Sequence, residues 1–186
     1  MEFIDLIQSR RSVRGYSAPV PHDDLVTLLT RAQQAPSWKN LQASRCYAVE
    51  SPEALAALRS QGLPGFNQNS SAGAALVVTT YVRDVVGFTQ GQPDNEVGNG
   101  WGAYDLGLHD AYLVLAAADM GYDTLIMGIR DADAIRRLLN IPENEAIMSV
   151  IAVGKRDKAP AARPRKAGVA SGTDSGTGRG AKARGT

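Results

Sequence analysis

The chain has 186 residues, of which 44% are hydrophobic and 21% charged; this is enough for one compact domain of ordinary globular composition. No stretch approaches the roughly 20 apolar residues of a membrane span, and the single cysteine, Cys46, excludes an internal disulfide. The formal net charge of +1 hides a basic end, because residues 155–186 carry nine Lys or Arg and two Asp or Glu.

Hydrophobic periodicity and helix-start signals predict the elements of the first half of the chain. A Pro followed by two acids begins an amphipathic helix at Pro21, and Pro36 requires that helix to end before it. A Ser-Pro-Glu sequence caps the next helix. In chain order we predict helices over 2–8, 21–35 and 51–58 and strands over 45–50 and 74–81.

The second half of the chain begins with an irregular loop over 84–100, which is rich in Gly, Asn, Asp and Gln. The most apolar helix, over 102–120, is expected to be buried or to lie at a subunit interface. We further predict strands over 124–127 and 148–153 and, between them, a helix over 131–140 with Asp131 as N-cap. Irregular interleaving of helices and strands favours an α+β fold.

Arginines are concentrated at the exit of the first helix, in Arg10-Arg11-Ser12-Val13-Arg14, and again in Arg163-Pro164-Arg165-Lys166. Guanidinium groups that meet in the fold form a planar, permanently charged donor set for a phosphate. For the first run taken alone, the alternative is a solvated charge cluster at a helix C-terminus, where cations are favourable. For the second, the alternative is the start of a basic tail.

Three further segments combine turn-forming and backbone-exposing residues. They are Ala35-Pro36-Ser37-Trp38-Lys39-Asn40-Leu41-Gln42, Phe66-Asn67-Gln68-Asn69-Ser70 and Met127-Gly128-Ile129. Each has a plain alternative, since Ser and Asn form turns and Gly can simply end a strand. A glycine also lets a ligand approach the backbone closely.

Taken in this order, these motifs resemble the nitroreductase family of FMN-binding oxidoreductases over about residues 1–166. The resemblance implies a nitroreductase-like α+β fold with a central, mostly antiparallel sheet flanked by helices, and a homodimer with FMN sites at its interface. We therefore divide the chain into an FMN-binding domain over 1–167 and a Gly/Ser-rich basic tail over 168–186, which its composition predicts to be disordered.

The resemblance assigns the flavin contacts. Arg10 and Arg14 would serve the phosphate and the flavin pyrimidine ring, and Ser12 would lie near the ribityl chain. Arg11 is placed in the same site or serves a structural role. Arg163 and Arg165 would close on the phosphate.

The resemblance also places the remaining segments. The loop with Pro36, Ser37, Asn40 and Gln42 would come from the partner subunit, Asn67 would bind the pyrimidine edge, and the Met127, Gly128 and Ile129 backbone would face flavin N5 and O4. Two departures stand out: Ala43-Ser44 replaces the usual Pro-Trp, and Ser70 replaces a common Lys. Trp38, Phe88 and Trp101 are candidates for the acceptor pocket, although Trp38 could equally pack at an interface.

The activity implied is a ping-pong reduction of nitroaromatics, quinones or a related small electrophile by NADH or NADPH through FMN, with Arg14 as electrostatic stabiliser. A flavin-binding sensor or store without turnover is the alternative.

With two His and one Cys we expect no metal site, and His109 is expected to be a helix residue at the interface. We expect neither a membrane nor a nucleic-acid partner, the basic tail allowing only weak, salt-sensitive binding. Without a signal-peptide pattern, we expect a cytoplasmic protein.

Overall fold

The computed structural model describes residues 2–159. Its helices are α1 (Phe3–Ser9), α2 (His22–Ala32), α3 (Pro52–Gly62), α4 (Gly65–Ser70), α5 (Gly100–Asp119) and α6 (Ala132–Leu139). Its strands are β1 (Tyr16–Pro19), β2 (Ser44–Val49), β3 (Ala75–Val82), β4 (Phe88–Thr89), β5 (Gln92–Pro93), β6 (Asp123–Met127) and β7 (Glu145–Arg156). The predicted α+β class is confirmed, because helices surround one antiparallel sheet.

The long strand β7 organises this sheet. It pairs with β1, β3 and β6, and β3 in turn pairs with β2, with every pair antiparallel. The register places Val78 opposite Val150 and Leu125 opposite Ala152. Because three strands are bonded to β7, its backbone is paired along most of its length, and nine of its 12 residues are buried.

The two faces of the sheet carry separate hydrophobic clusters, as the alternation of side chains along a strand requires. Leu76 and Val78 of β3 face a cluster that includes residues of α3 and α6. Ala75 and Val77 face the opposite cluster, which includes residues of α2 and α5. Helices therefore cover both faces, and α5 is the longest of them, with 20 residues.

Local signals set the helix ends much as the sequence predicts. The Ser51 side chain accepts a hydrogen bond from the Ala54 N–H, and the Asp131 carboxylate accepts one from the Ala134 N–H at 2.9 Å. Helix α6 ends at Asn140 in the left-handed conformation, with φ of 52°, which Asn tolerates better than most residues. The predicted N-cap at Asp131 is confirmed.

Four short elements were not predicted: β1, α4, the β4–β5 hairpin inside the expected loop, and a 3₁₀ turn over Trp38–Asn40. Each is six residues or fewer, so each carries too little periodicity to be recognised. The predicted domain boundary at residue 167 and the predicted tail lie outside the described residues. None of the helices between residues 2 and 159 is long and apolar enough to cross a bilayer.

Two glycines of α5 give a matched test of the helix packing. A Cβ at Gly102 would lie 2.4 Å from Tyr81 Cδ2, whereas a Cβ at Gly107 would meet nothing within 4 Å. We predict that Gly107→Ala raises the free energy of unfolding by about 0.5–1 kcal/mol through helix propensity. Gly102→Ala should lower it by about 1–3 kcal/mol through overpacking. Urea unfolding of both variants measures this, and equal effects would contradict the packing described.

Candidate functional site

The arginine segment is fixed to the sheet by one hydrophobic side chain and one backbone bond. Val13 is 1% exposed, and its N–H donates to the Thr124 carbonyl of β6 at 3.0 Å. Ser12 forms an isolated parallel bridge with the same Thr124. With Val13 directed into the core, its neighbours Ser12 and Arg14 lie on the exposed side of the chain.

Arg11 turns away from this surface. Its guanidinium donates to the Arg10 carbonyl at 2.8 Å and also to the Gln8 carbonyl, so it closes the C-terminal end of α1. This geometry favours the structural role that the sequence left open for Arg11.

Arg10, Ser12 and Gly128 meet in an open cleft of about 560 Å³ between α5 and the ends of β6 and β7. The rest of its lining is mostly apolar: Ala103, Leu106, Gly107, Asp110, Ala111, Val114, Ile126, Met148 and Ser149. The cleft therefore joins a cation and a hydroxyl at one place to an apolar wall. Of the predicted contacts, Arg14 is not part of this lining; it lies on the surface and acts electrostatically on Tyr16.

Arg10 also borders a second cavity of about 320 Å³, together with Arg11, Lys155 and Arg156. The Lys155 ammonium donates to the Gly121 carbonyl at 2.8 Å, and Arg156 binds the Asp123 carboxylate through two nitrogens. Cationic side chains thus continue from the cleft into this corner. The predicted phosphate contacts Arg163 and Arg165 lie outside the described residues.

The strand end at 127–129 is held by two side chains. The Asn67 amide, 7% exposed, donates to the Ile129 carbonyl at 2.8 Å. Arg130 donates to the Gly128 carbonyl at 3.2 Å and also to the Ile147 carbonyl. Two segments predicted from the sequence, Asn67 and 127–129, are therefore in direct contact, and Arg130 is a functional neighbour that the sequence reasoning missed.

Helix α4 also contacts the arginine segment. The Ser70 hydroxyl donates to the Phe66 carbonyl of its own helix at 2.7 Å, and the Ser70 carbonyl accepts from the Gly15 N–H at 2.9 Å. The position that carries Lys in many relatives by the resemblance thus lies next to Arg14, and its hydroxyl is bound within the helix.

The loop with Pro36, Ser37 and Gln42 lines a different cavity, of about 400 Å³, on another side of α5. Lys39, Asn40 and Gln42 all have positive φ, at 49°, 56° and 50°, so this loop adopts a backbone that few non-glycine residues accept. It is braced internally: the Gln42 N–H donates to Ser37 Oγ at 3.1 Å and the Gln42 amide to Asn40 Oδ1 at 2.8 Å. Within one chain, this loop and the Arg10 cleft are separate.

An aromatic surface adjoins this loop. The rings of Trp38 and Trp101 lie 4.6 Å apart, and Tyr104 packs edge-on to Trp101 at 5.8 Å. Together they border an apolar cleft of about 200 Å³. Phe88 lies in the β4–β5 hairpin and is not part of that lining, so two of the three predicted aromatic residues are brought together.

Two acidic or weakly acidic groups near the loop are perturbed by burial. Burial raises the pKa of Asp105, although its carboxylate accepts the Trp38 N–H at 2.8 Å, which opposes the shift. Burial, assisted by the Asp110 charge, raises the pKa of the Cys46 thiol to about 12. Within residues 2–159, no group of three His, Cys, Asp or Glu side chains could hold a metal ion.

Comparison with known proteins gives a consistent result. The sequence pattern of the Nitroreductase family matches residues 7–155. Bacillus subtilis MhqN, which bears the name of an NAD(P)H nitroreductase, is 24% identical over 193 residues, covering 88% of this chain and 93% of that protein. An Archaeoglobus fulgidus protein named NADH dehydrogenase/NAD(P)H nitroreductase is 28% identical, covering 82% and 84%. A nitroreductase structure from Exiguobacterium sibiricum in complex with FMN superposes with a TM-score of 0.74 at 22% identity, covering 89% and 94%.

The fold and the extent of this match place the protein among the nitroreductase-type oxidoreductases. The chain belongs to the nitroreductase family. The family, its enzymatic class and its fold, all predicted from the sequence, are thereby confirmed.

The contact between Asn67 and Ile129 can be tested through stability. Asn67→Ala leaves the Ile129 carbonyl without its donor, so we predict a loss of about 1–3 kcal/mol in the free energy of unfolding. Asn69 lies on the same helix but is exposed, and Asn69→Ala should change it by less than about 0.5 kcal/mol. Chemical denaturation of the two variants provides the measurement; similar losses would show that Asn67 does not hold the strand end.

Proposed function

We propose that this protein is a homodimeric FMN-dependent oxidoreductase that uses NADH or NADPH to reduce nitroaromatics, quinones or a related small electrophile. The observation that carries the proposal is the cleft of about 560 Å³, which brings together Arg10, Ser12 and Gly128 from distant parts of the chain. Family membership supports it, as do the names of MhqN and of the FMN-bound Exiguobacterium protein. A cytoplasmic location remains a prediction.

The residues of the cleft fit FMN in shape and in chemistry. Gly107 and Gly128 both border it, and a Cβ at either position would meet no atom within 4 Å, so the space beside both backbones is open. Its volume falls within the range of about 300–1,000 Å³ that is usual for cofactor sites. A flat apolar wall with a guanidinium and a hydroxyl at one end suits an apolar ring system that carries a phosphate.

On this proposal, Arg10 holds the phosphate and Ser12 binds the ribityl chain. Ile126, Met148 and the apolar side of α5 cover the ring. Bound FMN supplies hydride acceptance from a nicotinamide and electron transfer to the acceptor, in alternating half-reactions. The backbone N–H groups of the 127–129 segment are the proposed donors to the ring edge. Asn67 and Arg130 fix this segment by binding the carbonyls of Ile129 and Gly128.

On this proposal, the protein contributes to the chemistry through a positively charged side chain near the cofactor. A fixed cation lowers the free energy of negative charge that develops near it in a site from which water is excluded. The resemblance to the family makes Arg14 our candidate for this role, although within one chain it is exposed and outside the lining of the cleft. It lies beside the Gly15–Ser70 contact, where the hydroxyl of Ser70 adds no charge, so Arg14 would have to act without the second cation that many relatives carry.

A second copy of the chain would complete the site. The 36–42 loop and the Trp38–Trp101 pair are separate from the cleft of their own chain, as expected if they serve the cleft of a partner. Tyr104 and Tyr112 of α5 are 59% and 43% exposed, which provides apolar surface for association. Planar, electron-poor rings stack well on such aromatic side chains, so the tryptophan pair is the proposed acceptor surface.

The alternative is a flavin-binding protein without turnover. The specific observation in its favour is Ser70, whose hydroxyl bonds to its own helix and leaves one usual charge out of the site.

One set of measurements tests the proposal. The purified protein should be yellow or become yellow with FMN, should run in gel filtration at twice its mass of 19.7 kDa, and should oxidise NADH or NADPH when a nitroaromatic or quinone is added. Riboflavin, which lacks the phosphate, should bind about tenfold or more weakly than FMN, given the strength of charged hydrogen bonds. Failure of FMN to bind would overturn the proposal, and FMN binding without reduction by either nicotinamide would establish the alternative.

Filling the cleft should abolish FMN binding. Gly107→Leu directs a branched side chain into the open space beside the apolar wall, and we predict at least about a hundredfold loss of FMN affinity by steric exclusion, equal to about 2.7 kcal/mol. Gly107→Ala is the matched control, because it makes the same change in helix propensity with one methyl group and should retain affinity within about threefold. Fluorescence quenching of FMN measures both, and unchanged affinity in Gly107→Leu would place the cofactor elsewhere.

A further inference from the structure

Two consecutive polar residues of α5 are buried and have no role in the proposed reaction. His109 is 8% exposed and Asp110 is 7% exposed. Consecutive helical residues point about 100° apart, and the two face different spaces here. His109 lines the cavity of the 36–42 loop together with Cys46, whereas Asp110 lines the cleft of Arg10.

Hydrogen bonds connect these two spaces through the core. Cys46 Sγ lies 3.9 Å from His109 Nε2, and His109 Nδ1 lies 3.3 Å from Asp110 Oδ1. The Thr79 hydroxyl donates to Asp110 Oδ2 at 3.1 Å and lies 2.9 Å from Ser149 Oγ. Ser149 lines the same cleft as Asp110, so this series of hydrogen bonds runs from one cavity to the other.

The direction of these bonds follows from the number of protons. Thr79 has one hydroxyl proton and donates it in the hydrogen bond to Asp110. In the contact between Thr79 and Ser149, the Ser149 hydroxyl must therefore be the donor. Asp110 then accepts on one oxygen from Thr79 and on the other from His109 Nδ1–H. Both oxygens of the carboxylate are then acceptors, as an ionised carboxylate requires. His109 Nε2, on the far side of the ring, faces the thiol.

His109 is the charge partner of this carboxylate. Among residues 2–159, the Lys, Arg or His nitrogen within 4.0 Å of Asp110 is that of His109. A buried carboxylate is costly unless it is paired, and any further negative charge in the adjacent cleft increases that cost. Arg10, which lines the same cleft, offsets part of the added charge, and protonation of the imidazole is the further compensation next to Asp110.

The other charged or titratable groups that line the cavity of His109 are Cys46, Arg45 and Asp105. The thiol of Cys46, from β2, remains protonated because burial raises its pKa to about 12. Asp105, one turn earlier on α5, accepts the Trp38 N–H, and burial raises its pKa as well. The Arg45 guanidinium donates to the carbonyls of Gln42 and Ser44. Histidine is the side chain whose charge ordinarily changes between about pH 5 and 8.

We propose that His109 is a proton store for the cleft. When an anion binds in the cleft that Asp110 lines, His109 takes up a proton from solvent at Nε2, and Asp110 holds the resulting imidazolium through Nδ1–H. The anion considered is the phosphate-bearing FMN, so this inference rests on the proposed function. By linkage, FMN affinity then falls as the pH rises, because binding is accompanied by proton uptake.

Calorimetry of FMN binding to the full-length apoprotein tests the proposal. The binding heat at pH 7.5, measured in two buffers with different heats of ionisation, gives the number of protons taken up. Wild-type protein should take up a fraction of a proton that His109→Gln and Asp110→Asn both lose. His22→Gln is the matched control, because the only other histidine is exposed and pairs with Glu50; it should retain the wild-type uptake. Protons from the phosphate itself are common to all four proteins.

A second measurement covers the case in which the His109 variant does not fold. In wild-type protein labelled at histidine, FMN addition at pH 7.5 should move the His109 imidazole signals towards the protonated form and leave those of His22 unchanged. Equal proton uptake in wild type and His109→Gln, or unchanged His109 signals with FMN bound, overturns the inference alone. Absence of FMN binding overturns the proposed function, and this inference with it.

Discussion

The site depends on how the chain attaches to β6 immediately after its first helix. Val13 is inserted into the core, and its N–H bonds to Thr124. Burial of a valine side chain contributes about 1.5–3 kcal/mol, which is enough to hold a segment that has no sheet ladder of its own. Because strand-like backbone alternates, this one anchor fixes the exposed side on which Ser12 lies, and with it the position of Arg10. The proposed phosphate site at Arg10 thus depends on a hydrophobic contact three residues further along the chain.

The longer helices and strands are the elements that the sequence predicts best. Helix α2 is recognised from its hydrophobic periodicity, helix α5 and strand β3 from long apolar runs, and the caps at Ser51 and Asp131 are local. It fails for β1 and α4, which are stabilised by tertiary contacts: Tyr16 N–H bonds to Ala72, and Gly15 N–H to Ser70. No pattern within four or six residues encodes such partners.

The same limit applies to the site. Arg10, Ser12 and Gly128 could be named because their motifs resemble a family, and the fold brings them into one cleft. Arg130 could not, since its importance lies in where its guanidinium reaches, across to the carbonyls of Gly128 and Ile147. Asp110 and Ser149 line the same cavity although they are 39 positions apart in the sequence. Motifs report on residue type, whereas cavities are formed by topology.

Helix α5 borders both cavities of the domain, the cleft of Arg10 and the cavity of the 36–42 loop. Its apolar stripe packs on the sheet through Leu113 and Ala117, so its remaining sides are available to both cavities. Asp105 on one side anchors the Trp38 loop, while Gly107 on another leaves the cleft open. A buried carboxylate so close to a proposed anion site would oppose binding if it stood alone. The proposed protonation of the His109 imidazole, on the preceding residue, would make the pair neutral as negative charge arrives. An apolar helix therefore keeps two of its polar residues where their charges can balance each other.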